Sequence, residues 1–221
     1  METPSELAML KWNGTSRMRI GILGGAFDPI HLGHLCVAKE AKDKANLSKI
    51  VFIPTGIPWM KNVGEISPAK HRAEMVKIAI ANNPHFEVSP TEIEREGISY
   101  TVETLEEIKK EMGSGTEIFL LLGMDSVIQL AEWKTPNRIK TLCTIIAVGR
   151  PGINISAKTV EERKKWLGNK AVWLEELRID IDSSQIRARV GIGEKISHLV
   201  PKGVEEYIHE NQLYQEKQTN S

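Results

Sequence analysis

The sequence predicts an α/β protein built on a doubly wound parallel sheet, and three observations support this. Short apolar segments alternate with longer amphipathic ones along most of the chain. Two apolar segments, residues 117–123 (EIFLLLG) and 143–148 (CTIIAV), are nearly uninterrupted, as in strands that are buried on both faces. The first apolar segment ends in two glycines and runs directly into a helical pattern. Strands that alternate with helices imply right-handed crossovers and therefore parallel pairing.

The strands are predicted from short apolar runs that end at turn-forming residues. Residues 19–23 (RIGIL) end at Gly24-Gly25, and residues 49–54 (KIVFIP) end at a proline. The same reasoning gives the complete set: 19–23, 49–54, 86–88, 117–123, 143–148 and short strands within 172–181.

The helices are predicted from capping residues and from apolar spacing. Ser67-Pro68 provides an N-cap followed by proline at the first helical position. Val102, Leu105 and Ile108 fall on one helical face. The expected helices are 32–45, 67–82, 101–112, a short one that Thr135-Pro136 caps, 156–167 and 202–213.

Length and composition indicate an ordinary globular protein with one domain. The 221 residues correspond to one large domain, and 41% apolar with 26% charged residues is typical of globular proteins. The 29 basic residues equal the 29 acidic ones, which disfavours a sequence-independent nucleic-acid binder. No run of about 18 apolar residues is present, so we expect no membrane span.

The cysteines and the chain ends complete the domain prediction. Cys36 and Cys143 both lie in apolar runs, so we expect two buried free thiols and a reducing cytoplasmic location. Residues 1–17 lack the features of a secretory signal and are expected to be a disordered extension, native or left over from cloning. We expect residues 18–214 to form the single domain and 215–221 a flexible tail.

The loop after the first strand, residues 24–34 (GGAFDPIHLGH), carries the strongest chemical signal. It contains neither a dinucleotide-binding fingerprint nor a P-loop. His31 and His34 are three residues apart, which stacks them on one side of a helix N-terminus, where anions bind. Zinc binding would need further ligands, and two surface histidines without function are the plainer alternative. Stabilisation of charge on a phosphoryl group suits the pair best.

A second segment, residues 181–187 (IDSSQIR), reads as the end of a strand and the start of a helix. Asp182 or a serine can cap this helix, and Arg187 lies about one turn further on, where its guanidinium can bind phosphate oxygens. Taken alone, the segment is equally consistent with a plain N-cap and a surface arginine.

Both segments resemble one known group of enzymes. The first is similar to the signature of the H-x-G-H nucleotidyltransferase superfamily, and its GG-x-FDP-x-H-x-GH form resembles bacterial nicotinate-nucleotide adenylyltransferases. The family usually has threonine where this chain has Ala26. Residues 181–187 resemble the I-S-S-T-x-I-R motif of the superfamily, with Asp182 in place of the first serine. The resemblance implies a Rossmann-like nucleotidyltransferase fold.

Shorter matches extend this resemblance over residues 18–214. The SYT-x-x-T segment at 99–104 resembles a part of the family's pyridine-nucleotide pocket, and Gly123-Met124-Asp125 resembles its G-x-D. Trp133 matches a tryptophan that stacks on the nicotinate ring, and Arg150 opens an R-P-G match. Where the family often has P-P-H-K, this chain lacks the histidine but keeps Lys61.

The resemblance implies adenylyl transfer from ATP to nicotinate mononucleotide, a step of NAD biosynthesis, with Mg²⁺ bound to the ATP and no metal-binding residue in the protein. The implied catalytic residues are His31, His34 and Arg187. The implied ATP- and phosphate-binding residues are Gly24, Gly25, Ala26, Phe27, Gly33, Lys61, Gly123, Asp125, Ser183 and Ser184. The implied mononucleotide-binding residues are Asp28, Tyr100, Thr101, Trp133 and Arg150.

Three alternatives are compatible with parts of the pattern. A relative with another acceptor, such as a phosphopantetheine adenylyltransferase or a cytidylyltransferase, would keep the chemistry. A nucleotide-binding module without catalysis would keep the fold. Class I aminoacyl-tRNA synthetases also carry H-x-G-H, but the length, the neutral charge and the missing K-M-S-K-S-like segment disfavour an RNA substrate.

Overall fold

The computed structural model describes residues 18–58, 66–113, 115–149, 155–174 and 181–215. Within these ranges the strands are β1 (Met18–Gly25), β2 (Lys49–Pro54), β3 (Ile57–Pro58), β4 (Phe86–Val88), β5 (Ile98–Ser99), β6 (Thr116–Gly123), β7 (Thr144–Val148) and β8 (Ala171–Leu174). The expectations for residues 1–17 and 216–221 lie outside the described residues.

Six of these strands form one parallel sheet in the order β4-β2-β1-β6-β7-β8, and β3 and β5 form a small parallel pair. Ile22 of β1 pairs with Val51 of β2 on one side and with Leu120 of β6 on the other. The chain builds outward from β1 in one direction and from β6 in the other. The strand order therefore reverses between β1 and β6, and ligands bind at the carboxyl ends of strands at such a point.

The described helices are α1 (Leu32–Lys44), α2 (Ala69–Ile80), α3 (Thr91–Glu94), α4 (Thr101–Met112), α5 (Met124–Gln129), α6 (Pro136–Leu142), α7 (Ala157–Leu167), α8 (Ser183–Gly191) and α9 (Lys202–Glu210). Single 3₁₀ turns follow α5 and α7. Within the described ranges, no helix is long and apolar enough to cross a membrane.

The sheet separates two apolar cores, as a doubly wound fold requires. On one face, Phe52 and Leu121 pack with residues from α1, α2, α8 and α9. On the other face, Ile20 and Leu120 pack with residues from α4, α5, α6 and α7, and Leu105 of α4 is completely buried. The predicted doubly wound parallel sheet is confirmed.

Most predicted elements are confirmed, and their ends differ by at most three residues. Helix α2 begins at Ala69 with Pro68 as its N-cap, because the backbone of Pro68 is extended, with a ψ of 139°. Helix α9 ends at Glu210, earlier than expected. The strands β3 and β5 were not predicted, because two-residue strands carry no apolar pattern of their own.

The two cysteines differ in their environment. Cys143 is buried as expected, and burial raises the pKa of its thiol to about 12. The prediction of a buried thiol is wrong for Cys36, which is exposed. The inward face of α1 is formed by Ala38 and Ala41, and Cys36 lies on the opposite side. An apolar run was therefore not sufficient to predict which face of the helix is buried.

Candidate active site

The first motif forms the connection between β1 and α1, at the point where the strand order reverses. His31 is the N-cap residue of α1 and is buried, and His34 lies in the first turn. Their rings stack with centroids 3.7 Å apart and planes inclined by 26°. The predicted stacking of the two imidazoles is therefore confirmed.

The orientation of the His34 ring is fixed by the backbone. The N–H of His31 donates to Nδ1 of His34 over 3.3 Å. A neutral imidazole that accepts at Nδ1 carries its proton on Nε2. Phe27, whose φ of 50° lies in the left-handed region, sets its ring edge-on against His34 at 5.0 Å. His34 thus has a donor at Nε2 and a ring that is supported from one side.

A buried arginine that sequence reasoning missed holds this loop. Arg72 of α2 is only 1% exposed and donates to three carbonyl oxygens: Ala26 (2.8 Å), Ser67 (2.8 Å) and Gly56 (3.2 Å). Burial lowers the pKa of Arg72 from its ordinary value, and the charge of Asp28 opposes that shift. Its signal in the sequence is an arginine on the buried face of α2, next to Met75 and Val76.

Asp28 is buried, and both of its carboxylate oxygens accept hydrogen bonds from the protein. Oδ2 accepts from the N–H of Ser67 over 3.0 Å, and Oδ1 accepts from the hydroxyl of Tyr214 over 2.6 Å. Burial and the neighbouring charge of Asp28 raise the pKa of Tyr214. Tyr214, which lies 186 residues further along, therefore anchors the motif loop from the far end of the chain.

The second motif lies directly against the first. Ser183 donates through Oγ to the carbonyl oxygen of Pro29 over 3.0 Å. Arg187 donates through Nη1 to the carbonyl oxygen of Asp28 over 2.8 Å. The predicted catalytic residues His31, His34 and Arg187 are thus carried by two segments that are hydrogen-bonded to each other.

Asp182, the residue that departs from the family pattern, caps α8. Its Oδ1 accepts from the N–H groups of Ser184 (2.7 Å) and Gln185 (3.3 Å). Burial raises the pKa of Asp182. The hydrogen bonds from these N–H groups and the nearby His31 together lower the pKa by more than burial raises it, so the net shift is downward. The carboxylate occupies N–H groups that would otherwise face an anion, so a bound phosphate would depend more on side-chain donors such as Arg187.

A cavity of about 260 Å³ borders the motif backbone on the face of the sheet that α4 covers, whereas α1 and α8 pack on the opposite face. Gly24, Gly25 and Ala26 form part of its wall, and a Cβ at Gly24 would project into open space. The remaining lining residues include the predicted site residues Thr101 and Trp133. Apolar side chains of the sheet and of α4 complete it: Ile22, Ile53, Leu105, Leu120 and Leu122.

The predicted site residues Tyr100, Thr101, Gly123 and Asp125 lie at the N-terminal ends of α4 and α5. Tyr100 is the N-cap of α4 and its ring faces the ammonium group of Lys134 at 3.9 Å, while Thr101 is the first helical residue. Gly123 ends β6, and Asp125 is exposed in the first turn of α5. Neither Tyr100 nor Asp125 is among the described residues that line the cavity.

Gly33 is buried in the first turn of α1. Lys61 and Arg150 lie outside the described residues.

Glu92 of α3 is the second residue that sequence reasoning missed. It is the only ionisable side chain among the described residues that line the cavity. Burial raises the pKa of Glu92, and a hydrogen bond from Thr104 and the charge of Arg95 oppose that shift. In the described part of the chain, no group of three or more histidine, cysteine or acidic residues is placed to hold a metal ion.

The fold, the paired motifs and the cavity define a nucleotidyltransferase, and the comparison with family models agrees. Residues 22–189 match the model of the cytidylyltransferase-like family, so the chain belongs to this family.

Curated relatives narrow the assignment. The chain is 40% identical over 198 residues to the probable nicotinate-nucleotide adenylyltransferase of Dehalococcoides mccartyi strain CBDB1, a match that covers 89% of this chain and 97% of that one. It is 42% identical over 200 residues to the probable nicotinate-nucleotide adenylyltransferase of Dictyoglomus turgidum, covering 90% and 97%. Within the larger family, the chain belongs to the nicotinate-nucleotide adenylyltransferases.

Solved structures share the fold at lower identity. The nicotinic acid mononucleotide adenylyltransferase of Plasmodium falciparum in complex with NaAD superimposes with a TM-score of 0.73 at 19% identity, over 89% of this chain and 97% of that one. The same enzyme in complex with APC gives a TM-score of 0.70 at 18% identity with the same coverage. The predicted Rossmann-like nucleotidyltransferase fold is confirmed.

Proposed function

We propose that this protein transfers the adenylyl group of ATP to nicotinate mononucleotide, giving nicotinate adenine dinucleotide and pyrophosphate. The observation that carries the proposal is that the backbone of residues 24–26 separates the site into two halves. Stacked imidazoles and Arg187 lie with the helix N-termini of α1 and α8, and an apolar cavity that contains Trp133 lies next to the same backbone. A cavity of roughly 150 Å³ holds a benzene ring, so this one can receive a pyridine ring.

The reaction needs no nucleophile from the protein. A phosphate oxygen of nicotinate mononucleotide attacks the α-phosphorus of ATP, and the bond from that phosphorus to the β-bridging oxygen breaks. Pyrophosphate leaves with the electron pair of the broken bond. Catalysis of this kind relies on positioning and on donors aimed at developing charge.

His34, His31 and Arg187 are suited to that role. The donor at Nε2 of His34 would meet an oxygen of the transferring phosphate as charge moves toward pyrophosphate. The guanidinium of Arg187 has five N–H donors and is anchored by one short hydrogen bond to Asp28, so others can bind the β- and γ-phosphates. Ser183 and Ser184 stand beside it on α8, and Lys61 is proposed to add charge. Mg²⁺ enters as part of the substrate MgATP.

The mononucleotide is proposed to bind on the cavity side. Trp133 would stack on the pyridine ring, and its Nε1, which is buried without a hydrogen-bond partner among the described residues, would gain an acceptor there. The first-turn N–H groups of α4, around Thr101, would meet the ring carboxylate, since helix N-termini favour anions. Arg150 is proposed to contribute as well. Both cysteines are unpaired, which agrees with the reducing cytoplasm as the proposed compartment.

The test is a panel of acceptors assayed by pyrophosphate release. Purified protein receives MgATP with nicotinate mononucleotide, nicotinamide mononucleotide or phosphopantetheine, and a parallel set receives MgCTP. We expect turnover with MgATP and nicotinate mononucleotide, much slower turnover with the amide, and none with the other pairs. Faster turnover of phosphopantetheine or CTP would assign the protein to another member of the superfamily. Binding of ATP without any turnover would indicate a nucleotide-binding module.

A further inference from the structure

Glu92 is a buried carboxyl group for which the proposed reaction has no use. It lies in the four-residue helix α3 and is 7% exposed. Its side chain borders a cavity whose other described lining residues are apolar or carry hydroxyl groups. Burying a carboxylate is costly unless several donors satisfy it. The groups that contact Glu92 therefore identify the segments that this residue holds together.

The donor to Glu92 comes from a separate segment of the cavity wall. Thr104 in the first turns of α4 donates through Oγ1 to Oε1 of Glu92 over 2.8 Å, and Arg95 in turn donates to Thr104 Oγ1 over 3.0 Å. Thr55 follows β2, and Ser99 lies in β5, where its Oγ is buried without a hydrogen-bond partner among the described residues. Thr55, Ser99 and Thr104 all line the cavity. The side chain of Glu92 thus connects α3 to α4.

The backbone of Glu92 is packed as tightly as its side chain. A Cβ on Gly56 would lie 2.0 Å from the carbonyl oxygen of Glu92, so the loop between β2 and β3 touches α3 directly at a position that only glycine fits. The carbonyl oxygen of Gly56 accepts from Arg72, which also holds Ala26 of the motif loop. Helix α3 is therefore positioned relative to both the motif loop and α4.

We propose that Glu92 is a positioning residue for the mononucleotide half of the site, an inference that rests on the proposed function. By holding Thr104 of α4 while its own backbone packs against Gly56, it sets the distance between the N-terminus of α4 and the motif backbone. That distance determines whether the first-turn N–H groups of α4 reach the ring carboxylate while the phosphate of the same molecule reaches the histidines. In the proposed function ATP binds on the phosphate side, so its binding does not depend on this distance.

The experiment measures both Michaelis constants and kcat for the wild type, Glu92→Ala, Glu92→Gln and Glu94→Ala. We expect Glu92→Ala to raise the KM for nicotinate mononucleotide by about tenfold or more and to leave the KM for ATP within about twofold. Glutamine has the same length and keeps a carbonyl oxygen that accepts from Thr104, so Glu92→Gln should recover most of the loss. Glu94 lies exposed in the same helix, and its alanine variant should match the wild type.

Two readouts separate positioning from other roles. A general loss of structure would lower the melting temperature and raise both KM values together, and that result would overturn the proposal. A direct electrostatic role would change the preference for nicotinate over nicotinamide in Glu92→Gln by more than about fivefold, which would also overturn it. We expect that preference to remain.

A further variant and the wild-type control cover the remaining outcomes. If Glu92→Ala does not fold, Thr104→Val removes only the donor hydroxyl and should raise the same KM by a smaller factor. An unchanged KM in that variant would contradict the proposal. Failure of the wild type to use nicotinate mononucleotide would instead refute the proposed function and is seen before any variant is measured.

Discussion

The two sides of the motif backbone are built in different ways. On the phosphate side, His31, His34 and Arg187 come from two short segments, each of which forms the N-terminal turn of a helix. On the cavity side, the lining comes from β1, β2, β3, α3, β5, α4, β6 and the turns after it, with few residues from each. The phosphate side is compact in sequence, and the cavity side is assembled only by the tertiary fold.

The difference follows from what each side has to do. Stabilising charge on a phosphoryl group requires a few donors at fixed positions, and a helix N-terminus provides a rigid frame for them. Enclosing an aromatic ring requires apolar contacts from every direction, which no single segment can supply. We therefore expect variants on the phosphate side to lower kcat and variants on the cavity side to raise the KM for the mononucleotide.

The largest expected effect is on the phosphate side. His34→Ala should lower kcat by about 10²–10³-fold with little change in either KM, because it removes a donor that acts in the transition state. Steady-state kinetics with both substrates would measure this. Cys36→Ala, an exposed position on the same helix, is the matched control and should behave as the wild type. A His34→Ala enzyme with normal kcat would remove His34 from the catalytic assignment.

The second largest effect should be seen on both sides of the site. Arg72→Met leaves three carbonyl oxygens, those of Ala26, Gly56 and Ser67, without their buried donor. We expect a loss of about 3 kcal/mol or more of unfolding free energy, measured by urea denaturation. Because Ala26 belongs to the motif loop and Gly56 packs against the backbone of Glu92, the KM values for ATP and for the mononucleotide should both rise. A rise in only one of them would show that the two sides are held independently.

Arg72→Lys tests whether charge alone is sufficient. Lysine keeps the positive charge but cannot reproduce the planar fork that reaches three oxygens at once. We expect an intermediate loss of stability. Full stability of the lysine variant would mean that the charge near Asp28 matters more than the three hydrogen bonds.

A smaller effect is expected at the far end of the chain. Tyr214→Phe removes the donor to Oδ1 of buried Asp28 and should cost about 2 kcal/mol of unfolding free energy. Tyr207→Phe removes a hydroxyl that contacts His71 over 2.9 Å and should cost less, because neither partner there carries a buried charge. A double-mutant cycle with Asp28→Asn isolates the coupling. Equal losses for the two tyrosine variants would contradict the anchoring role of Tyr214.

The sequence predicted the elements and the phosphate side better than it predicted the supports. Continuous apolar runs placed the strands of the large sheet, and the motif segments placed the histidines and Arg187. Arg72 meets Ala26 across 46 residues, and Tyr214 meets Asp28 across 186 residues. No local pattern encodes such pairs, since each is one polar residue whose partner is fixed only when the sheet forms. The same holds for Glu92, whose neighbours come from three segments.

The smallest effect concerns the cap of α8 and has a defined pH dependence. Asp182→Ala should lower the unfolding free energy by about 1 kcal/mol at neutral pH, and Asp182→Asn should retain most of it, since both residues cap helices well. The folded-state pKa of Asp182 lies below the ordinary value of 3.8, so its contribution is fully present above that value. It is lost as the pH falls through the lowered pKa.

Urea denaturation from neutral to acid pH tests this sign for Asp182. The difference between wild type and Asp182→Ala should shrink below pH 3.8, while the difference between Asp182→Asn and Asp182→Ala should stay constant, because an amide does not titrate. A gap that widens with acid would mean that the carboxylate is destabilising where it lies. In that case the burial of the carboxylate, rather than the cap, would dominate its effect on the N-terminus of α8, and removing its charge should strengthen ATP binding on the phosphate side.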